Sequence, residues 1–132
     1  MPNAGYDSAR RAFLAGELDW DADDFTIAVY DSDLTFDAAD DVLDDITALP
    51  LDTAMLTGKA VSSTGLASND ATEFTVQIGD TSRAYLLYRD TGTPSTSTLI
   101  YFWDTNNDLS AINRAGDGNP YSVPWSQGTI QL

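Results

Sequence analysis

Two segments of this chain are apolar at nearly every position: Arg83-Ala-Tyr-Leu-Leu-Tyr-Arg89 and Thr98-Leu-Ile-Tyr-Phe-Trp103. Strand side chains alternate between faces, so a strand that is apolar in both registers must be covered on both sides. These segments are therefore expected as the central strands of the core. Between them lies Asp90-Thr-Gly-Thr-Pro-Ser-Thr-Ser97, whose residues favour turns, and it reads as the loop of an antiparallel hairpin.

The neighbours of such a pair can be found along the rest of the chain. Phe25-Thr-Ile-Ala-Val-Tyr30 reads as a strand with Phe25, Ile27 and Val29 on one face. Glu73-Phe-Thr-Val-Gln-Ile78 alternates, which places Phe74, Val76 and Ile78 inward and Glu73, Thr75 and Gln77 outward. Gly58 separates strand-like residues 52–57 from 59–63, and Thr64-Gly65 marks the next turn. Residues 104–121 read as a long polar loop, and residues 122–125 and 128–132 as two closing strands. Near the start, Ala9, Ala12 and Phe13 recur at helical spacing, with Asp7 or Ser8 to cap and Gly16 to terminate. A second helical turn is expected within residues 38–46, with Phe36, Ala39, Leu43 and Ile46 on one side.

Short strands at regular spacing with few helices predict a mainly β fold. The expected form is an antiparallel β-sandwich or barrel of jelly-roll or immunoglobulin-like kind, with one or two short N-terminal helices. Residues 1–132 read as a single β domain, large enough to bury about two-thirds of its unfolded surface. The expected core is Ile27, Val29, Phe74, Val76, Leu86, Leu87, Ile100 and Phe102.

Charge restricts partners. Acids outnumber bases 21 to 6, and thirteen carboxylates lie between Glu17 and Asp52 with no lysine or arginine among them. A field of this sign repels phosphates and anionic lipid headgroups, so neither nucleic acid nor membrane is an expected partner. Acid-rich, lysine-poor surfaces suit salty surroundings, which points to a marine or halophilic source. Arg10 and Arg11 are the only adjacent bases, and residues 1–20 are read as an N-terminal docking segment. The alternative for the pair is a plain solvated helix face. The N-terminus MPNAGYDSAR has no apolar signal core, so an unexported chain is expected.

Composition also removes most chemistry. Without histidine or cysteine, the chain has no Ser/His or Cys/His nucleophile and no ordinary zinc site. No glycine-rich phosphate loop appears. No catalytic residue, cofactor or metal is expected, and the chain is read as non-enzymatic. Calcium needs only oxygen ligands, so two acidic segments are candidates for it. Asp104, Asn106 and Asp108 have the spacing of the first ligands of an EF-hand, but Leu109 stands where that loop needs glycine and Ala115 where it needs glutamate. Asp19-Trp-Asp-Ala-Asp-Asp24 is read as a turn with capping aspartates before it is read as a calcium cluster. Trp20, Trp103 and Trp125 could form a sugar platform, although Trp103 lies in an apolar strand and reads as core.

The chain as a whole resembles a family of small tailed-phage virion proteins. The resemblance is carried by Ala9-Arg-Arg-Ala-Phe-Leu-Ala-Gly16 with Leu18-Asp-Trp20, by the strand from Phe25, by Asp41-Val-Leu-Asp-Asp-Ile46 and by Leu56-Thr-Gly-Lys59 with Val61. It continues through Asp70-Ala-Thr-Glu-Phe-Thr-Val76, Leu87-Tyr-Arg-Asp-Thr-Gly-Thr93, Ser97-Thr-Leu-Ile100 before Asp104, and the closing Ile130-Gln-Leu132. Where many members carry a histidine, this chain has Ala38-Ala39-Asp40. The resemblance implies a structural protein of the virion, assembled in the host cytoplasm, and transfers no catalytic site. The role it suggests first is a capsid decoration (cement) protein. Such proteins bind the outer surface of the head, often as trimers, so the partners would be the major capsid protein and copies of this chain. Its candidate interface residues are Arg10, Arg11, Phe13 and Trp20. A tail, neck or adaptor component is the alternative within the virion, and a calcium- or carbohydrate-binding β module the alternative outside it.

Overall fold

A computed structural model describes residues 4–105 and 111–123 and the backbone of residues 130–131. Its centre is a five-stranded antiparallel sheet in the order β1-β9-β8-β2-β3. The strands are β1 (Ala4–Gly5), β2 (Phe25–Tyr30), β3 (Asp52–Met55), β8 (Ala84–Arg89) and β9 (Leu99–Trp103). The two apolar segments are β8 and β9, adjacent and antiparallel, with the turn-rich loop between them closed by a 3₁₀ turn at Pro94–Thr96. The remaining strands are β4 (Ala60–Val61), β5 (Leu66–Ser68), β6 (Thr72–Thr75), β7 (Thr81–Ser82), β10 (Arg114–Ala115), β11 (Pro120–Val123) and β12 (Ile130–Gln131). They form small antiparallel sheets: β6 with β11, β7 with β10, and β5 between β4 and β12. The fold is mainly β and sandwich-like. The central sheet stays open, with β1 and β3 as its edges, so it does not close into a barrel.

The sheet is covered on both faces, and each covering layer has its own apolar cluster. One face carries Phe25, Ile27 and Val29 from β2, Tyr85 and Leu87 from β8 and Trp103 from β9. It packs against Phe74, Val76, Ala67 and Ile112 of the smaller sheets and their connections, and against Ala9 and Ala12 of the helix. The opposite face carries Ala28, Tyr30, Leu86, Tyr88 and Phe102 and packs under Tyr6, Leu34, Phe36, Leu43 and Ile46. The acid-rich segment is therefore a lid over the second cluster. All six residues of β2 are buried, not only the three on one face that alternation suggested. All eight expected core residues are buried.

Ile100 is the extra residue of a β-bulge. Leu87 pairs with Tyr101 and Tyr88 with Leu99, which leaves Ile100 without a partner opposite. The shift puts Ile100 and Tyr101 on the same cluster and leaves Leu99 and Phe102 on the other.

Three local expectations are corrected. Ile78 is 81% exposed because the ladder with β11 ends at Thr75, after which the chain turns through Gly79 at φ 100°. Helix α1 (Asp7–Leu14) is capped by Tyr6 with extended backbone and no side-chain bond, so Asp7 lies in its first turn instead of capping it. Ala39 is exposed, and the expected second helix shrinks to a 3₁₀ turn at Leu43–Asp45. The end of α1 follows expectation. Gly16, at φ 76°, lets Glu17 N–H donate to Ala12 O (2.9 Å) and Gly16 N–H to Phe13 O (3.2 Å), the paired bonds of a Schellman stop.

Candidate functional site

Helix α1 turns Ala9 and Ala12 into the core and leaves Arg10, Arg11 and Leu14 outside. Arg11 and Leu14 are three residues apart and so share one outer face. Leu14 is 84% exposed, the most exposed large apolar side chain among the described residues. The inner face of the helix is thus apolar, and its outer face sets an apolar side chain beside a cationic one.

The structure separates the four candidate interface residues. Arg10 donates to the carboxylate of Asp7 one turn back and to Gly5 O, so its charge is already answered. Arg11 is exposed and meets neither a carboxylate nor a ring among the described residues. Phe13 is half-buried, its ring near-parallel to that of Phe25 at 6.4 Å between centroids. Trp20 is only 5% exposed. Its ring packs 4.9 Å from Phe25 and its indole N–H donates to Ser68 O at 3.1 Å, so its recognition groups are used within the fold.

The remaining bases are committed elsewhere. Arg83 pairs with Asp31 at 3.8 Å and Arg89 with Asp23 at 3.4 Å. Lys59 donates to Asp23 O and lies over the Phe25 ring at 5.1 Å. Arg114 lies over the Tyr121 ring at 4.2 Å. Arg11 is therefore the one base whose charge meets neither an acid nor a ring among the described residues.

Phe13 and Trp20 do converge on one feature. Beside the C-terminal end of α1 a cleft of about 400 Å³ opens between that helix and β4–β5, lined by Phe13, Leu18, Trp20, Val61 and Ala67. Asp19 is on its rim. Val61 and Ala67 come from a distant part of the chain, and nothing in their local sequence pointed to this place. Leu14 was not among the expected interface residues, because an isolated leucine at a helix end carries no signal by itself.

The Asp19–Asp24 segment forms a turn. Asp19 Oδ1 accepts the N–H groups of Asp21 and Ala22, and Asp23 Oδ2 accepts that of Asp19. Among the described residues no group of acids is placed to hold a metal ion. Asn106 and Asp108 of the other calcium candidate, and Trp125 of the sugar candidate, lie outside the described residues. Among the described residues no helix is long and apolar enough to cross a membrane. Compared with protein-family models and with curated proteins, the chain matches none.

Proposed function

We propose that this protein is a non-enzymatic structural component of a phage virion, most specifically a capsid decoration protein. It would bind the outer surface of the head through the exposed face of α1 and steady the contacts between major capsid subunits. One observation carries the reading: Arg11, which meets neither an acid nor a ring among the described residues, and the exposed Leu14 stand together on the outside of a helix fixed to the core by Ala9 and Ala12. Arginine beside an apolar side chain on a rigid element is the usual chemistry of an interface anchor. A negative, lysine-poor exterior suits a particle surface facing salt water, and many copies let modest contacts sum to a large stabilisation. Burial of Trp20 weighs against a sugar-binding platform built on that residue.

The test is attachment. Arg11→Glu should lower occupancy on purified particles, measured by densitometry against the major capsid protein, while the isolated domain keeps its melting midpoint. Arg10→Glu should do less, because that side chain is already engaged by Asp7. Copy number in the same gels separates head from tail: abundance comparable to the capsid subunit supports decoration, and a few copies per particle supports a tail, neck or adaptor component. Unchanged occupancy in the Arg11 variant would move docking off α1.

A further inference from the structure

A second cleft, lined by residues of β8, β10 and β11, holds an arginine under unusual conditions. In the β7–β10 pair Arg114 stands opposite Ser82. The Ser82 hydroxyl is 2.8 Å from the Tyr121 hydroxyl, and that in turn is 3.3 Å from the hydroxyl of Tyr85. Tyr121 is thus held at its tip, and its ring packs 6.0 Å from that of Phe74. The guanidinium of Arg114 rests on this fixed ring, 4.2 Å from its centroid. A cleft of about 340 Å³ opens here, lined by Tyr85, Ile112, Asn113, Arg114, Tyr121 and Val123.

Acids outnumber bases 21 to 6 in this chain, and Arg10, Arg83 and Arg89 each meet a carboxylate. Arg114 meets none among the described residues, although it lines a concave site. A ring engages the face of a guanidinium and leaves its N–H edge free, and that edge matches a carboxylate in a two-pronged bond. We propose that this cleft binds a small organic carboxylate, with Arg114 holding the acid group, Asn113 offering a further donor, and the apolar wall of Ile112 and Val123 taking the ligand's body. The long-range field of the protein opposes anions, so a ligand of single charge is favoured over a polyanion. This inference is independent of the attachment reading. Its carboxylate can belong to a free sugar acid or to the end of a peptide chain.

Two-dimensional NMR titrations of the full chain, at roughly 0.15 M salt to damp the general field, would use glucuronate against glucose and N-acetyl-leucine against its amide. We expect the acids, not their neutral counterparts, to move the Arg114 side-chain signal and the methyl signals of Ile112 and Val123. The tighter acid identifies the source. Arg114→Gln should weaken binding by roughly tenfold or more, and Arg114→Lys, which keeps the charge but not the fork, by an intermediate factor. Arg11→Gln should change nothing. Should Arg114→Gln fail to fold, the lysine variant decides by itself. Shifts mapping elsewhere, equal response to acid and neutral probes, no response at tens of millimolar, or full affinity in both Arg114 variants would each overturn the proposal.

Discussion

At the scale of the residue, what matters about a base here is how far its charge is already answered. Arg10 and Arg11 are neighbours in sequence, yet Asp7 pairs with Arg10 and Arg11 meets no carboxylate among the described residues. Ion pairs between exposed side chains contribute ~0–1 kcal/mol, so the Arg10–Asp7 pair does little for stability. Its effect is to remove one of two apparent docking charges. Trp20 makes the complementary point. An aromatic residue in an acidic turn looked available to a partner, but it forms a wall of the core between Phe25 and Ser68. Trp20→Ala is therefore expected to destabilise the isolated domain by about 3–5 kcal/mol, as removal of a large buried ring does. Urea denaturation measures this directly. A stable but unattached variant would instead mean that the ring is spent on a partner.

At the scale of the element, β6 shows where pattern reading ends. Phe74 and Val76 point inward as alternation requires, and Val76 is 2% exposed. Val76→Ala should cost on the order of 1–3 kcal/mol by leaving a cavity, read as a lowered denaturation midpoint at constant slope. The same alternation misplaces Ile78, because period-two reading assumes that the strand continues. The β6–β11 ladder stops at Thr75, and Val76 O accepts Gly118 N–H at 2.9 Å instead of a ladder partner. Gly116 is pressed so closely on this backbone that an added Cβ would stand 2.1 Å from Gln77 O. A contact between residues this far apart in sequence leaves no local trace. The central strands were legible because both of their faces are apolar, and α1 was legible because its inner face is made of alanines and its end is marked by glycine. The cleft beside α1 was not, since part of its wall arrives from β4–β5 and the turn between them.

At the scale of the whole molecule, charge and architecture meet in the segment between β2 and β3. It carries Asp31, Asp33, Asp37, Asp40, Asp41, Asp44 and Asp45 and still covers an apolar cluster. Raising sodium chloride from low levels to roughly 0.5 M should raise the thermal midpoint, because screening relieves this crowding. A flat response would mean that the carboxylates are too dispersed to matter. Acid acts in two stages. Burial, followed by the charges of Asp37, Asp45 and Asp41, pushes the Asp40 carboxyl above its ordinary value. The folded form thus takes up that proton more readily than the unfolded chain, and stability should rise as pH falls from 7 toward about 4. Backbone N–H groups hold Asp45 and Asp31 below the ordinary value, chiefly those of Asp41 and Val42 for the first and of Ser32 for the second. Their contribution is present above about 4 and is lost as pH falls further through their lowered values. A melting series across pH should therefore show a maximum on the mildly acidic side, and a monotonic decline from neutrality would contradict the assignment to Asp40.

The lid over the second cluster has a consequence for how the molecule opens. Its regular structure is one 3₁₀ turn, and its backbone is tied to the β8–β9 hairpin through Leu43 N–H to Ser97 O and Leu99 N–H to Asp41 O, both 2.9 Å. Beneath it lie Leu86, Leu99 and Phe102 on strands buried on both sides. Amide hydrogen exchange should then fall into tiers, slowest in β8 and β9 and fastest across the lid, with the gap widening as salt is withdrawn. Opened in this way the chain would keep its sheet and bare an apolar face to water well before its strands unravelled.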